Sequence, residues 1–345
     1  MLKKLNNRTI FLILVSLFFC TVFVSLSYGQ INIPVQAVLA IVAEQLHIPG
    51  LENISITQEQ TAVIWHIRMP RTLVGILVGA ALAVTGAVLQ GVFGNPLADP
   101  GIIGVSSGAA LGAVLAIATG LSTVSMFYMP LFALIGALLT VAFTVFLAMR
   151  DHKISVMALL LAGVAVSIFL GALTSGILTF ISEYKLREFL FWTVGGLDYR
   201  RWEHVLLGFI PILAGVTILC ALARQLNILV LGEEEARAVG MSVAKLRLFL
   251  LFVATLTTAT AVCISGSIGF VGLVVPHIMR LILGPEHRRL LPACALAGGI
   301  FLVGCDTIGR LIIPPAEIRV GVMTALIGAP YFLYLLRRAQ KGGLF

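Results

Sequence analysis

The sequence predicts an all-α polytopic membrane protein with about ten transmembrane helices, and three observations carry that prediction. Hydrophobic residues make up 59% of the 345-residue chain and charged residues only 11%, with a mean hydropathy of +1.07. A soluble domain carries about 25% charge. The 23 basic and 15 acidic side chains are too few to solvate a 36.8 kDa globule. Finally, apolar stretches recur at roughly the 20 residues that a helix needs to cross a bilayer, separated by short charged groups. A soluble core, a disordered chain and a low-complexity tail are excluded.

In chain order the expected spans are Ile10–Tyr28, Leu73–Phe93, Ile102–Leu121, Phe127–Met149, Val156–Ile181, Val205–Ala223, Leu248–Ser265, Ile268–Leu283, Leu291–Ile313 and Val320–Leu336. The first follows Lys3, Lys4 and Arg8, and its apolar run is longer than that of a signal peptide, so it reads as an uncleaved anchor. The fifth is long enough to tilt or break, and the eighth is short and contains Pro276. An even number of spans puts both termini on one side. Most Lys and Arg, among them Arg150, Lys153, Arg224, Arg237, Lys245, Arg247, Arg288 and Arg337, then fall on the side of the N-terminus, which the positive-inside rule makes the cytoplasm.

Four connections stand out. Gln30–Ile67 lies outside and mixes Glu44, Glu52 and Glu59 with apolar residues; Ser182–His204, also outside, reads as a short amphipathic helix ending at Gly195-Gly196. Inside, two prolines make Asn95-Pro-Leu-Ala-Asp-Pro100 a turn, since neither fits a continuous helix. Gln225–Arg247 is the longest inner segment. Within it Gly232 breaks one helix, three acids start another in keeping with the helix dipole, and Gly240 ends it; a second short helix then leads into the next span. This pattern fits a compact knob for a partner's groove, or a solvated loop with a charge run, and spacing alone does not choose. No duplicated half is evident.

Small residues at four-residue spacing, Gly75 with Gly79 and Gly104 with Gly108 and Gly112, predict close helix packing in lipid. Gly104-Val-Ser-Ser-Gly108 has the form of a nucleophile elbow, but it begins an apolar helix with no His or acid beside it. No P-loop and no H-E-x-x-H occur, the six histidines are scattered and the five cysteines are isolated, so no catalytic residue and no metal ligand is expected. Basic residues do not cluster with aromatic partners, which argues against nucleic acid. Asp306 is the clearest acid within a span and reads as a helix-packing or interfacial group; a proton-coupled carrier usually has several. Arg68, Arg71 and Arg310 lie at the outer ends of spans. Snorkelling to lipid phosphate and a docking surface for an acidic partner both account for them.

From about Arg68 to Arg338 the sequence resembles the permeases of bacterial ABC importers for ferric siderophores, haem and vitamin B12. The resemblance is carried by Ile67-Arg-Met-Pro-Arg71-Thr-Leu, Gly86-Ala-Val-Leu-Gln90, Asn95-Pro-Leu-Ala-Asp-Pro-Gly101, the Gly232–Gly240 segment, Gly266-Ser-Ile-Gly-Phe-Val-Gly-Leu-Val-Val-Pro276, Ala316-Glu-Ile-Arg-Val-Gly321 and Gly328-Ala-Pro330. It implies a type II importer permease, with residues 1–66 as first helix and outer segment, 67–345 as permease core, and cytoplasmic coupling helices at about 228–247. It also implies a homodimer in the bacterial cytoplasmic membrane, two cytoplasmic ATP-binding subunits that hold ATP and Mg, and an extracytoplasmic binding protein; this chain itself binds no cofactor. By position, Gly232, Glu233, Ala236 and Gly240 would couple to the ATPase, Arg68, Arg71 and Arg310 would meet acids of the binding protein, and Asn95 and Leu97 would lie at the cytoplasmic gate. The cargo expected is a ferric siderophore, with haem and cobalamin as alternatives, and a proton-coupled carrier is the competing class. One departure is Arg319, which stands where family members often have Pro.

Overall fold

The computed structural model describes residues 6–49, 54–150 and 153–341. Lys3, Lys4, Glu52 and His152 lie outside the described residues. The fold is an all-helical bundle, apart from a two-residue antiparallel ribbon that pairs Met149–Arg150 with Lys153–Ile154.

Helix α1 (Asn7–Ser27) opens with the Asn6 side chain accepting from the Arg8 amide, and a short outer helix, α2 (Val35–Gln45), follows. The next helix differs from the expectation. It is α-helical from Gln58, where Thr57 and Gln60 form a capping box, runs through a π-helical stretch Ala62–Arg68, and continues as α3 (Met69–Phe93). Arg68 and Arg71 therefore sit within a long helix, not at its start. Gly94, with φ +60°, ends it.

The turn at residues 94–99 leads through a 3-10 turn (Pro100–Ile103) into α4 (Val105–Ala118). Then come α5 (Tyr128–Ala148), α6 (Val156–Leu178), the outer helix α7 (Glu183–Val194) and α8 (Trp202–Ala221). On the inner side α9 (Ala223–Leu231) and α10 (Glu233–Ala238) form the expected knob. The second short helix is absent: α11 (Val243–Ser265) starts two residues after Met241 and is continuous to its end. The last elements are α12 (Val271–Leu283), α13 (His287–Leu311) and α14 (Val320–Lys341).

Among the described residues seven helices are long and apolar enough to cross a membrane, and the shorter α4 and α12 and the apolar Val320–Tyr334 part of α14 occupy the other three expected span positions. The core is built around α3, which packs against both α13 and α11. Glycine makes this possible. A Cβ on Gly79 would stand 2.6 Å from the carbonyl carbon of Gly298, so α3 and α13 touch backbone to backbone. Gly108 and Gly136 bring α4 and α5 together in the same way.

Candidate functional site

Three regions carry the residues to which the sequence pointed. The first is the inner knob. Gly232 and Gly240 both adopt positive φ, +141° and +81°, so the chain reverses sharply at each end of α10. Ala236 is fully buried against the bundle, and Glu233 bonds to Arg247 of α11 at 2.8 Å and to Arg237 at 3.1 Å. The buried Arg247 thereby pins the knob to the base of a core helix. The rest of the knob is open, and beside the exposed Glu234, Glu235 and Arg237 it presents Leu231, 72% exposed, and Val239, 66% exposed. Next to it, Asn227 of α9 accepts from the amide of His287 at 2.9 Å, supplying the cap that α13 lacks from its own chain neighbours.

The second region is the turn after α3. Asn95 accepts from the amide of Leu97 at 2.9 Å, and Leu97 is left 38% exposed. Above the turn, buried Gln90 donates to the carbonyl of Gly272 at 3.1 Å and accepts from Arg280 at 2.9 Å. This ties α3 to α12. Asp99 caps the 3-10 turn through the Gly101 amide, and burial pushes its carboxyl above the usual carboxylate range.

The third region is the outer arginine group, and here accessibility needs correcting. Arg68, Arg71 and Arg310 are 5%, 8% and 5% exposed. A buried cation requires partners, and this chain provides them all. Arg68 donates to the carbonyls of Leu26, Ser27 and Ile31. Arg71 takes Asp306 in a two-pronged grip at 2.8 and 2.9 Å, and Glu317 at 2.8 Å. Arg310 reaches Asp306 at 3.3 Å and the Ser25 hydroxyl at 2.9 Å. The three guanidinium groups thus join α1, α3, α13 and the segment before α14. Any part in docking runs through the shape they hold, since the three guanidinium groups are buried and engaged by groups of this chain.

The sequence profile of the FecCD transport family matches residues 15–338. The chain belongs to the FecCD transport family. Among similar proteins, the cobalamin import permease BtuC of Halobacterium salinarum is 47% identical over 82% of this chain and 75% of its own length. The hemin transport permease HmuU of Yersinia pestis is 41% identical over 81% and 86%. A solved metal-chelate type ABC transporter, in an inward-facing conformation, superposes with a TM-score of 0.84 at 35% identity, covering 96% of this chain and 99% of that one.

This FecCD chain is accordingly a multi-span transport permease of the ABC importer class, and the family is not a catalytic one. Sequence reasoning missed the acids that neutralise the outer arginines. Asp306 was visible, but the Arg71 it pairs with lies 235 residues away, and the second acid on Arg71, Glu317, lies across a proline-rich turn, so no local pattern links the three. It also missed the outer cluster of Asp198, Arg200 and Arg319, of which only Arg319 stood out, as a departure from the family pattern.

Proposed function

We propose that this FecCD chain is the membrane-spanning subunit of an ATP-driven importer that carries a metal chelate across the cytoplasmic membrane after delivery by a binding protein. A ferric siderophore is the cargo favoured; haem and cobalamin, which appear in the names of relatives, are the alternatives. The permease pairs with a second copy of itself and seats on two ATP-binding subunits, which hold ATP and Mg. Both termini face the cytoplasm. Arg68, Arg71 and Arg310 shape the outer face on which the binding protein rests, and Asn95 and Leu97 border the inner gate.

The observation that carries this reading is the knob. Its inner face is locked by Ala236 and the Glu233–Arg247 pair, while its outer face presents Leu231 and Val239 to the aqueous side. A solvated loop has no reason to be fixed so firmly while exposing two large apolar side chains. A groove on a partner accounts for both. When the ATPase dimer closes, a push on the knob passes directly into α11, and packed helices then switch between two arrangements. A proton-coupled carrier is less well served, because the one acid buried within a span among the described residues, Asp306, is engaged by two arginines as a structural pair.

The test uses vesicles holding the complete importer, with labelled ferric chelates, haem and cobalamin compared side by side. Uptake should require ATP and the binding protein. Val239→Asp, which leaves the Glu233–Arg247 pair intact, should abolish uptake and loosen ATPase association while the permease still elutes as a folded species. Undiminished uptake by that variant, or uptake driven by an ion gradient alone, would overturn the reading.

A further inference from the structure

The outer end of the molecule holds a cleft of about 680 Å³ between α7, the loop before α8 and the start of α14. Its volume lies in the range of small-molecule sites, about 300–1,000 Å³. Of its charged lining, Arg71 is already neutralised by Asp306 and Glu317. Beside the Arg71–Glu317 pair, the lining holds Arg200, Arg201 and Arg319 with one further carboxylate, Asp198, so three cations face one acid.

The details of this group leave positive charge in excess. Arg319 bonds to Asp198 at 2.8 Å and lies over the Phe191 ring, 4.4 Å from its centroid. Arg200 is partly buried and donates to the neutral carbonyl of Gly196 at 3.3 Å. Burial and the neighbouring Arg319 hold the Arg200 guanidinium down to about 10, against the pull of Asp198. Arg201 is exposed at the rim. Tyr199, between Asp198 and Arg200, is 90% exposed and adopts φ +59°, a conformation that residues other than glycine rarely hold. Backbone of this kind is retained where the surrounding structure fixes it, often at ligand clamps. Here it holds an aromatic ring beside the arginines.

We infer that this cleft is a receiving site for an anionic chelate, with Arg200 and Arg201 binding its negative groups and Phe191 and Tyr199 flanking its apolar parts. Guanidinium groups suit carboxylate and catecholate oxygens because they offer paired donors in one plane. The cleft is concave and of small-molecule size, which fits a small molecule better than the flat face of a protein. Arg319 has a second part: with the Gly321 amide, which bonds to the Gly195 carbonyl at 3.3 Å, it ties α14 to the end of α7. For that reason it is not the residue to test.

The inference rests on the importer reading for its purpose but not for its test, which needs only the permease. In nanodiscs containing the full chain, binding of a ferric tricatecholate, net negative, is compared with that of an uncharged ferric hydroxamate by quenching of tryptophan fluorescence. The wild type should bind the anionic chelate more tightly, and Arg200→Gln with Arg201→Gln should weaken that binding about tenfold or more while leaving the uncharged chelate unaffected. Arg200→Lys should restore part of the loss. If the double variant does not fold, Arg201→Gln alone, at an exposed position, should still weaken anionic binding severalfold. Equal binding of the two chelates by the wild type, or anionic binding unchanged in the variants, overturns the inference. A second arm measures affinity for the binding protein at low salt. Docking weakened by Arg201→Gln, with chelate binding intact, would assign the site to protein carboxylates and overturn it as well. Loss of ATP-dependent uptake by the wild-type importer would count against the importer reading alone.

Discussion

At the scale of single residues, Asp306 is the most consequential charge in the chain. Its carboxylate is 2% exposed and faces Arg71 and Arg310 together. Removing it leaves Arg310 buried without a counter-charge, and Arg71 with only the half-exposed Glu317. Breaking a buried pair from one side costs about 3–5 kcal/mol, because an uncompensated charge remains. Asp306→Ala should therefore lower the thermal unfolding midpoint of the purified permease sharply. Combining it with Arg310→Met removes the stranded charge as well, and the double variant should recover part of the loss. An equal or lower midpoint in the double variant would show that Ser25 and Thr307 suffice to hold Arg310 without Asp306. Arg68 is a different case, satisfied by carbonyl oxygens near the end of α1. It acts as a cap for α1 from the side of another helix.

At the scale of elements, close helix packing depends on particular glycines and not on glycine content. Gly79 faces Gly298 with no room for a methyl group, whereas Gly304, on the same helix as Gly298, has open space where its Cβ would be. Gly79→Ala should sharply reduce the yield of monodisperse protein on size-exclusion chromatography. Gly304→Ala should be neutral or gain up to about 1 kcal/mol from helix propensity. Comparable losses from both would mean that glycine serves helix flexibility here, not close approach. The sequence made one side of each contact legible: the spacing of Gly75 with Gly79, and of Gly104, Gly108 and Gly112, announces a packing ridge. The partners, Gly298 and Gly136, lie in other helices, and nothing local says which ridges face each other. The same limit explains the outer arginines. Their position near span ends was readable, but whether a guanidinium points outward or into the bundle depends on acids and carbonyls supplied by distant segments. The knob was legible because everything that shapes it, Gly232, three acids and Gly240, lies within nine residues. The helix expected after Gly240 failed because α11 absorbs those residues into its first turns, where Arg247 finds Glu233.

At the scale of the whole molecule, seven helices among the described residues are long and apolar enough to cross a membrane, and the other expected crossings fall on shorter ones. At 1.5 Å per residue the 14 residues of α4 and the 13 of α12 span only about 21 and 20 Å, short of a hydrocarbon core of about 30 Å. Irregular backbone at membrane depth is tolerated only where protein covers it. Both helices meet that condition. The 3-10 turn before α4 is covered at Pro100 and Ile103, and the stretch before α12 is buried at Ser265, Gly266 and Ile268. The two short helices therefore complete their crossings inside a shell of longer ones. On the outside of that shell lies α6, with only 17% of its apolar window buried and Met157, Leu161, Ile168 and Phe169 exposed to lipid or to a second copy. Because α8 is long and apolar enough to cross and lies between them, the knob and the Tyr199 loop should lie on opposite sides of the membrane. With Cys20 and Cys220 replaced by Ser, the remaining cysteines are buried, so single reporters can be read cleanly. Glu235→Cys should be labelled by an impermeant maleimide only in inside-out vesicles, and Tyr199→Cys only in intact cells with an opened outer surface. Labelling of both from one side would remove a crossing between residues 199 and 235. That result would also detach the outer cleft from the face where a binding protein delivers its cargo, because α8 is the span that separates them.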